Sequence, residues 1–380
     1  MIPLAIPNLT GNERRYLNEC IDTTFVSSVG AFVNRLEGQV AEKTGSTGAV
    51  ATSAGTTALH LALMQVGVTS NDLVILPSFT FIASANSIAH CGATPWFLDV
   101  TEENWTLDPQ QLADELRTHA IKRDGGVYHR ETNRRIAAVM PVYTLGNVAD
   151  MDAINAIAQA YDLPVVADAA CALGARYKGR SLGGLAKASA ASFNGNKTVT
   201  AGGGGAVFGD DSALLSGVKH VSSTARVWPE YDFDQVGYNY RMTNIQAAVG
   251  CAQLERLEEF VEKKRSVRDF YARAFEGISG TSLFPVADFC ESSCWFSGVV
   301  FDVGGLEKLH GVEALLKEKG VESRTFWKPA HMQLPYLGAP QAASLLVSEH
   351  LWDRILTLPC STGITDEELS AVVSAVKAVL

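Results

Sequence analysis

The 380-residue sequence lacks any apolar run long enough to cross a bilayer, although apolar residues make up 47% of it. It lacks a positive balance too: 31 Lys and Arg stand against 41 Asp and Glu, a net charge of −10. A broad basic field for nucleic-acid backbones is thereby excluded. Residues 1–10 lack a basic start followed by an apolar stretch, so no signal peptide is expected and the expected compartment is the cytoplasm. The seven cysteines, Cys20, Cys91, Cys171, Cys251, Cys290, Cys294 and Cys360, are odd in number and scattered, as reduced thiols are. Only Cys290 and Cys294 are close, and no second pair or histidine follows at zinc-site spacing, so no metal is expected. Internal repeats and low-complexity tracts are missing as well.

What is present is an alternation. Short apolar runs at 48–52, 73–76, 136–142, 164–167, 190–193 and 206–208 are separated by amphipathic stretches such as 56–66 and 150–161. Several runs show no polar alternation, as in strands covered on both faces. This predicts an α/β fold with a mainly parallel sheet flanked by helices, and sites at the carboxyl ends of its strands. The pattern changes near Asn244. Residues 245–270 read as one long helix, followed by strand-like 295–301, helical 312–319 and a closing helix over 366–380. Two units are expected, a large one over 1–250 and a smaller α+β one over 251–380. The polar stretch 128–135 reads as an exposed insertion before a strand.

Three elements carry chemistry. Ser53-Ala54-Gly55-Thr56-Thr57-Ala58 follows a strand and opens a helix; free amides there attract an anion, although an ordinary N-capped turn fits the same residues. Asp168 ends the run Val165-Val166-Ala167, where a buried carboxylate needs a cationic partner or a role as a helix cap. Lys197 lies in Asn194-Gly195-Asn196-Lys197-Thr198, directly after a strand. It is either a surface charge or an amine able to form a Schiff base with a carbonyl cofactor. The glycines Gly202 to Gly205 match neither a Walker loop nor GxGxxG, and read as a tight turn with close backbone packing. Taken together, a phosphate cradle, a strand-end carboxylate and an amine are what pyridoxal phosphate needs.

Over essentially its whole length the chain resembles the sugar aminotransferases of the DegT/DnrJ/EryC/StrS family, within fold type I of the pyridoxal-phosphate enzymes. The resemblance is carried by Pro7-Asn8-Leu9-Thr10-Gly11-Asn12-Glu13, Phe25-Val26-Ser27-Ser28-Val29-Gly30 and Leu76-Pro77-Ser78-Phe79-Thr80-Phe81. It continues through Asp168-Ala169-Ala170, Ser192-Phe193-Asn194-Gly195-Asn196-Lys197, Gly237-Tyr238-Asn239-Tyr240-Arg241-Met242 and the 327–336 segment beginning Trp327-Lys328-Pro329-Ala330-His331. It implies Lys197 as the catalytic amine that holds the cofactor, and Asp168 against the pyridinium nitrogen. Phe81 would stack on the ring, with Gly55, Thr56 and Ser192 on the phosphate. Asn239, with Arg241, would reach that phosphate from a second subunit, implying a homodimer. Ser28, Tyr240, Lys328 and His331 are the implied contacts for the sugar nucleotide.

The Asn-Gly-Asn-Lys wording most resembles members that use L-glutamate to aminate UDP-2-acetamido-4-keto-2,6-dideoxyhexoses on routes to bacillosamine and legionaminic acid. A GDP-4-keto-6-deoxymannose enzyme of the perosamine type, a 3-keto-specific relative and a non-catalytic cofactor-binding regulator are the alternatives. Two positions depart from the family. Cys171 stands where many relatives carry a polar Gln, His or Glu, and Ala167 stands where Glu is frequent. Cys171 is a poor hydrogen-bond donor beside a cofactor.

Overall fold

In the computed structural model, which describes residues 1–227 and 231–379, the expected strands align edge to edge. One sheet orders Gly48–Thr52, Gly205–Gly209, Ala188–Ser192 and Val166–Asp168; a second orders Thr94–Leu98, Leu73–Pro77 and Ile136–Val139. Parallel bridges between Val139 and Val165 and between Val142 and Asp168 join the two into one surface. Only Gly205–Gly209 runs against its neighbours. The interior strands are buried along their length, so every position on them is small or apolar and period-two alternation is lost. This is the mainly parallel, mixed α/β sheet that the sequence predicts.

Because the other strands point one way, their carboxyl ends share an edge, and the register there sets up a site. Thr52 pairs with Gly205, and Gly205 pairs with Ser192. A Cβ on Gly205 would meet the carbonyls of Ala54 and Ala191 at 2.6 and 2.7 Å. The glycine therefore lets the start of the helix Gly55–Gln65 come down beside Ser192. The preceding turn needs Gly204 at φ +112°, where a side chain is strained.

Residues 245–270 do not form one helix. The chain makes Asn244–Leu254 and then Leu257–Phe275, broken where long-range polar contacts hold the backbone. Glu255 takes hydrogen bonds from Asn12, Tyr16 and Arg35, while Arg256 (φ −113°) bonds Asn8 and Thr10. The first helix is buried nearly all round, whereas the second is amphipathic. Leu257, Phe260 and Val261 of the second join the core under the large sheet; Val267, Tyr271 and Phe275 join a second core. That second core packs on an antiparallel sheet ordered Thr281–Leu283, Ser297–Phe301, Ile355–Leu358 and Arg324–Thr325. Its closing helix is Asp366–Lys377, capped by a reciprocal Thr365–Glu368 pair; Leu380, where that helix was expected to end, lies outside the described residues.

The polar stretch 128–135 is not wholly exposed. It continues a hairpin of Ala120–Arg123 and Gly126–His129, whose His129 is only 7% exposed because it packs against Trp96. Among the described residues no helix is long and apolar enough to cross a membrane. All seven cysteines are free thiols.

Candidate active site

At the shared strand edge lies a cavity of about 250 Å³, lined by residues from both halves of the chain. Its floor is the start of the helix Gly55–Gln65. Ala54 is extended, and Thr57 Oγ1 takes its N–H at 3.1 Å, leaving the amides of the first turn facing the cavity mouth. A Cβ on Gly55 would lie 2.8 Å from the Ser192 Cβ. Glycine is what allows this helix terminus and the Ser192 hydroxyl to converge. Amides with a positive helix end, joined by hydroxyls of Thr56 and Ser192, suit a phosphate.

Asp168 ends its strand and is 6% exposed. Its Oδ2 accepts the Ser84 hydroxyl at 2.7 Å and its Oδ1 accepts the Ala170 N–H at 3.0 Å. Burial pushes the carboxyl pKa up, opposed by those two bonds and by the Lys197 charge. Both bonded partners are neutral, so the carboxylate is left for a protonated ring nitrogen in the cavity. Ser84 is itself held by Thr80 at 2.7 Å, which fixes the helix Ile82–His90 against the strand end. Phe81, at the start of that helix, is 53% exposed, and its ring lies 5.9 Å from Trp327 on the cavity wall.

Lys197 enters on a loop closed at its base, where Ala201 N–H bonds Phe193 O and Phe193 N–H bonds Gly204 O. Its Nζ reaches 3.1 Å from Cys171 Sγ and lies 3.8 Å from the centre of the Trp295 ring. Burial raises the Cys171 pKa, countered next by the Lys197 charge. A thiol and an indole face are poor partners for an ammonium compared with water. The amine is thus presented to the cavity rather than committed to a carboxylate. Phosphate-seeking amides, an uncompensated carboxylate and a primary amine on one cavity match the phosphate, ring nitrogen and aldehyde of pyridoxal phosphate, and so fit that cofactor.

Six of the residues singled out in the sequence, Gly55, Thr56, Phe81, Asp168, Ser192 and Lys197, line this cavity. The other six do not. Tyr240 and Arg241 run beside the cradle strand, with Ser53 N–H bonded to Tyr240 O and Thr52 bridged to Arg241. The Arg241 Nε is buried without a hydrogen-bond partner, and Tyr240 stacks on Tyr238 at 4.7 Å. Asn239 is exposed on the same segment. Ser28 sits in a loop that Asn244 clamps through Phe25 O and the Phe32 N–H. Lys328 is exposed next to Trp327. His331 turns away from the cavity. It is 7% exposed, with Nδ1 2.5 Å from Ser78 Oγ and Nε2 3.2 Å from Glu349, and so pins the 327–336 segment to the end of the strand Leu73–Pro77.

The sequence reading missed Ser84, Trp295 and Trp327 as lining groups. Ser84 had a usable signal, a hydroxyl one turn into the helix after Phe81. Trp295 had none, since nothing local ties it to a loop nearly a hundred residues earlier.

The chain matches the model of the DegT/DnrJ/EryC1/StrS aminotransferase family over residues 7–377. It is 37% identical to a GDP-perosamine synthase of Caulobacter vibrioides, covering 100% of this chain and 98% of that protein. It is 32% identical to the GDP-perosamine synthase of Vibrio cholerae, covering 99% and 98%. Among solved structures, a DegT DnrJ EryC1 StrS aminotransferase from Brucella abortus superposes with a TM-score of 0.88 at 26% identity, over 97% of this chain and 95% of that one. With this match added to the cofactor-shaped cavity, the chain belongs to the DegT/DnrJ/EryC1/StrS family and is a pyridoxal-phosphate-dependent sugar aminotransferase.

Proposed function

We propose that this enzyme moves the amino group of L-glutamate to the 4-keto carbon of a GDP-linked 4-keto-6-deoxyhexose, giving a GDP-4-amino-4,6-dideoxy sugar in the cytoplasm. The observation that carries the nucleotide is the near full-length similarity to relatives named GDP-perosamine synthase. The UDP-2-acetamido sugar implied by the Asn-Gly-Asn-Lys wording has less support.

Bound in this cavity, pyridoxal phosphate would supply an electron sink for the carbon losing its proton. The chain's residues do the rest. Asp168 would hold the ring nitrogen protonated, because its bonded partners Ser84 and Ala170 are neutral and leave its buried charge without a cation. Gly55 and Thr56 amides with the Ser192 hydroxyl would hold the phosphate, and Phe81 would cover one ring face. Lys197 Nζ would hold the cofactor at rest and, once freed, would move the proton at the donor α-carbon in the first half-reaction and at the sugar C4 in the second.

The site is completed by a second copy of the chain, which brings Asn239 and Arg241 to the phosphate, and Ser28 and Tyr240 to the sugar nucleotide. Support comes from the exposed apolar side chains around these residues: Phe25, Val29, Tyr231, Phe233 and Val236 are 54%, 68%, 79%, 55% and 81% exposed on a single chain. Lys328 contacts the nucleotide directly, and His331 contributes by anchoring the segment that bears it.

The test is a rate comparison, with L-glutamate as donor, between GDP-4-keto-6-deoxymannose and UDP-2-acetamido-2,6-dideoxy-4-ketoglucose. Faster amination of the GDP sugar is expected. Preference for the UDP sugar would overturn the nucleotide while keeping the aminotransferase.

A further inference from the structure

We propose that His119, His129 and Glu131 form a binding site for one divalent transition-metal ion of the zinc class. The three side chains come from the end of the helix Pro109–His119 and from the hairpin that follows it. Strand register pairs Ala120 with His129, which carries the second imidazole back beside the first. The two rings stack at 5.7 Å with 13° between their planes. Trp96 walls both, edge-on at 4.7 Å from His129 and 6.3 Å from His119. Glu131 then folds over the pair, with Oε1 2.7 Å from His119 Nδ1 and Oε2 3.2 Å from His129 Nδ1.

One donor atom from each residue lies within 4.8 Å of the others. Tetrahedral zinc, with bonds of about 2.0–2.2 Å, sets its donors roughly 3.4 Å apart. The closure required is at most about 1.4 Å. His119 and Glu131 can supply it by rotation, since their side chains are 32% and 58% exposed. A cleft of about 350 Å³ beside them leaves room for water as a fourth ligand.

Two observations point to a metal rather than an ordinary ion pair. His129 Nδ1 faces the Thr132 N–H at 3.4 Å; a backbone N–H only donates, so this nitrogen presents its lone pair there, in a long contact that a metal would displace. The same nitrogen lies 3.2 Å from a Glu131 oxygen and 3.2 Å from the Thr132 hydroxyl, so imidazole and carboxylate converge on one point that an ion could share. Second, Glu115 Oε2 lies 3.8 Å from His119 Nε2, the nitrogen not facing Glu131. A carboxylate behind a ligating imidazole orients it and raises its basicity. Two imidazoles and a carboxylate suit zinc and its neighbours better than magnesium or calcium. None of these residues lines the Lys197 cavity, so the site is independent of the proposed reaction.

The experiment uses untagged, cofactor-loaded enzyme stripped with a chelator, then equilibrium dialysis against ZnCl2 with metal analysis. The expected result is one zinc per chain beyond that retained by the double variant His119→Gln/Glu131→Gln. Each single variant should weaken binding at least tenfold, and Glu115→Gln on the order of tenfold. Equal uptake by the wild type and the double variant, or no uptake by either, would overturn the site. Displacement of zinc by equimolar MgCl2 would overturn the class of ion.

Discussion

Lys197 Nζ lies over the face of Trp295, 3.8 Å from the ring centre. Trp295 is 3% exposed and held on several sides. Its indole N–H bonds Asn196 O at 2.7 Å, its backbone N–H bonds Leu145 O at 2.9 Å, and its carbonyl accepts from Lys264 at 2.9 Å. An aromatic side chain from the C-terminal half is therefore the seat of the cavity's amine. Removing the ring face removes about 1–2 kcal/mol of cation–π and packing interaction with Nζ. Trp295→Leu should slow the glutamate half-reaction roughly 5–30-fold, and Trp295→Phe should recover most of it, while both still load cofactor. Single-turnover kinetics checks this; equal losses in both variants would assign Trp295 to packing alone.

Asp168→Asn tests the buried carboxylate. The amide keeps the shape and the Ser84 bond but offers no charge to a protonated ring nitrogen. The glutamate half-reaction should fall by on the order of 10²–10³-fold, with the cofactor still bound. Unchanged rates would show that Asp168 only satisfies Ser84 and Ala170.

Gly55→Ala places a methyl 2.8 Å from the Ser192 Cβ. Overpacking of this kind costs about 1–3 kcal/mol, and the cradle must open to relieve it. Weaker retention of cofactor on dialysis and a lower Tm are expected. Adding Ser192→Gly should restore the Tm but not the retention, since the phosphate loses a hydroxyl. Full retention by Gly55→Ala would contradict the cradle.

His60 gives a pH dependence with a definite sign. It is 2% exposed, neither ring nitrogen has a hydrogen-bond partner, and burial, then the His90 charge, lower its pKa to about 4. The unfolded chain takes up this proton near pH 6.5, whereas the folded chain resists until about pH 4. Stability is therefore unaffected above pH 6.5 and falls as pH drops from there to about 4, by up to about 3 kcal/mol. His60→Leu should flatten denaturant-melt stabilities across that window. An unchanged slope would remove His60 from the acid sensitivity.

The residues that line the cavity were legible where each closes or follows a strand. Gly55, Asp168 and Lys197 stand out because small or charged residues interrupt buried apolar runs, and a parallel sheet places such interruptions on one edge. Trp295 and the role of His331 were hidden, because their partners Lys197 and Ser78 are set by tertiary packing, whereas Ser84 showed its hydroxyl in the first turn after Phe81. The break at Glu255 and Arg256 was hidden for the same reason: helical periodicity continues through it, and the contacts that interrupt it come from residues 8–35. His129 reads as part of a polar insertion, yet hairpin register buries it against Trp96. A search for metal ligands among the cysteines passes over it.

The proposed reaction places pyridoxal phosphate on Lys197 beside Asp168 and aminates a nucleotide-linked ketosugar. The most direct measurement is the visible spectrum of the cofactor-loaded enzyme during addition of L-glutamate and then GDP-4-keto-6-deoxymannose. The expected result is a band that bleaches with glutamate and returns with the ketosugar, and no lysine-linked band in Lys197→Ala. A wild-type protein that forms no such band with pyridoxal phosphate, or a Lys197→Ala protein that aminates ketosugar at the normal rate, would contradict it.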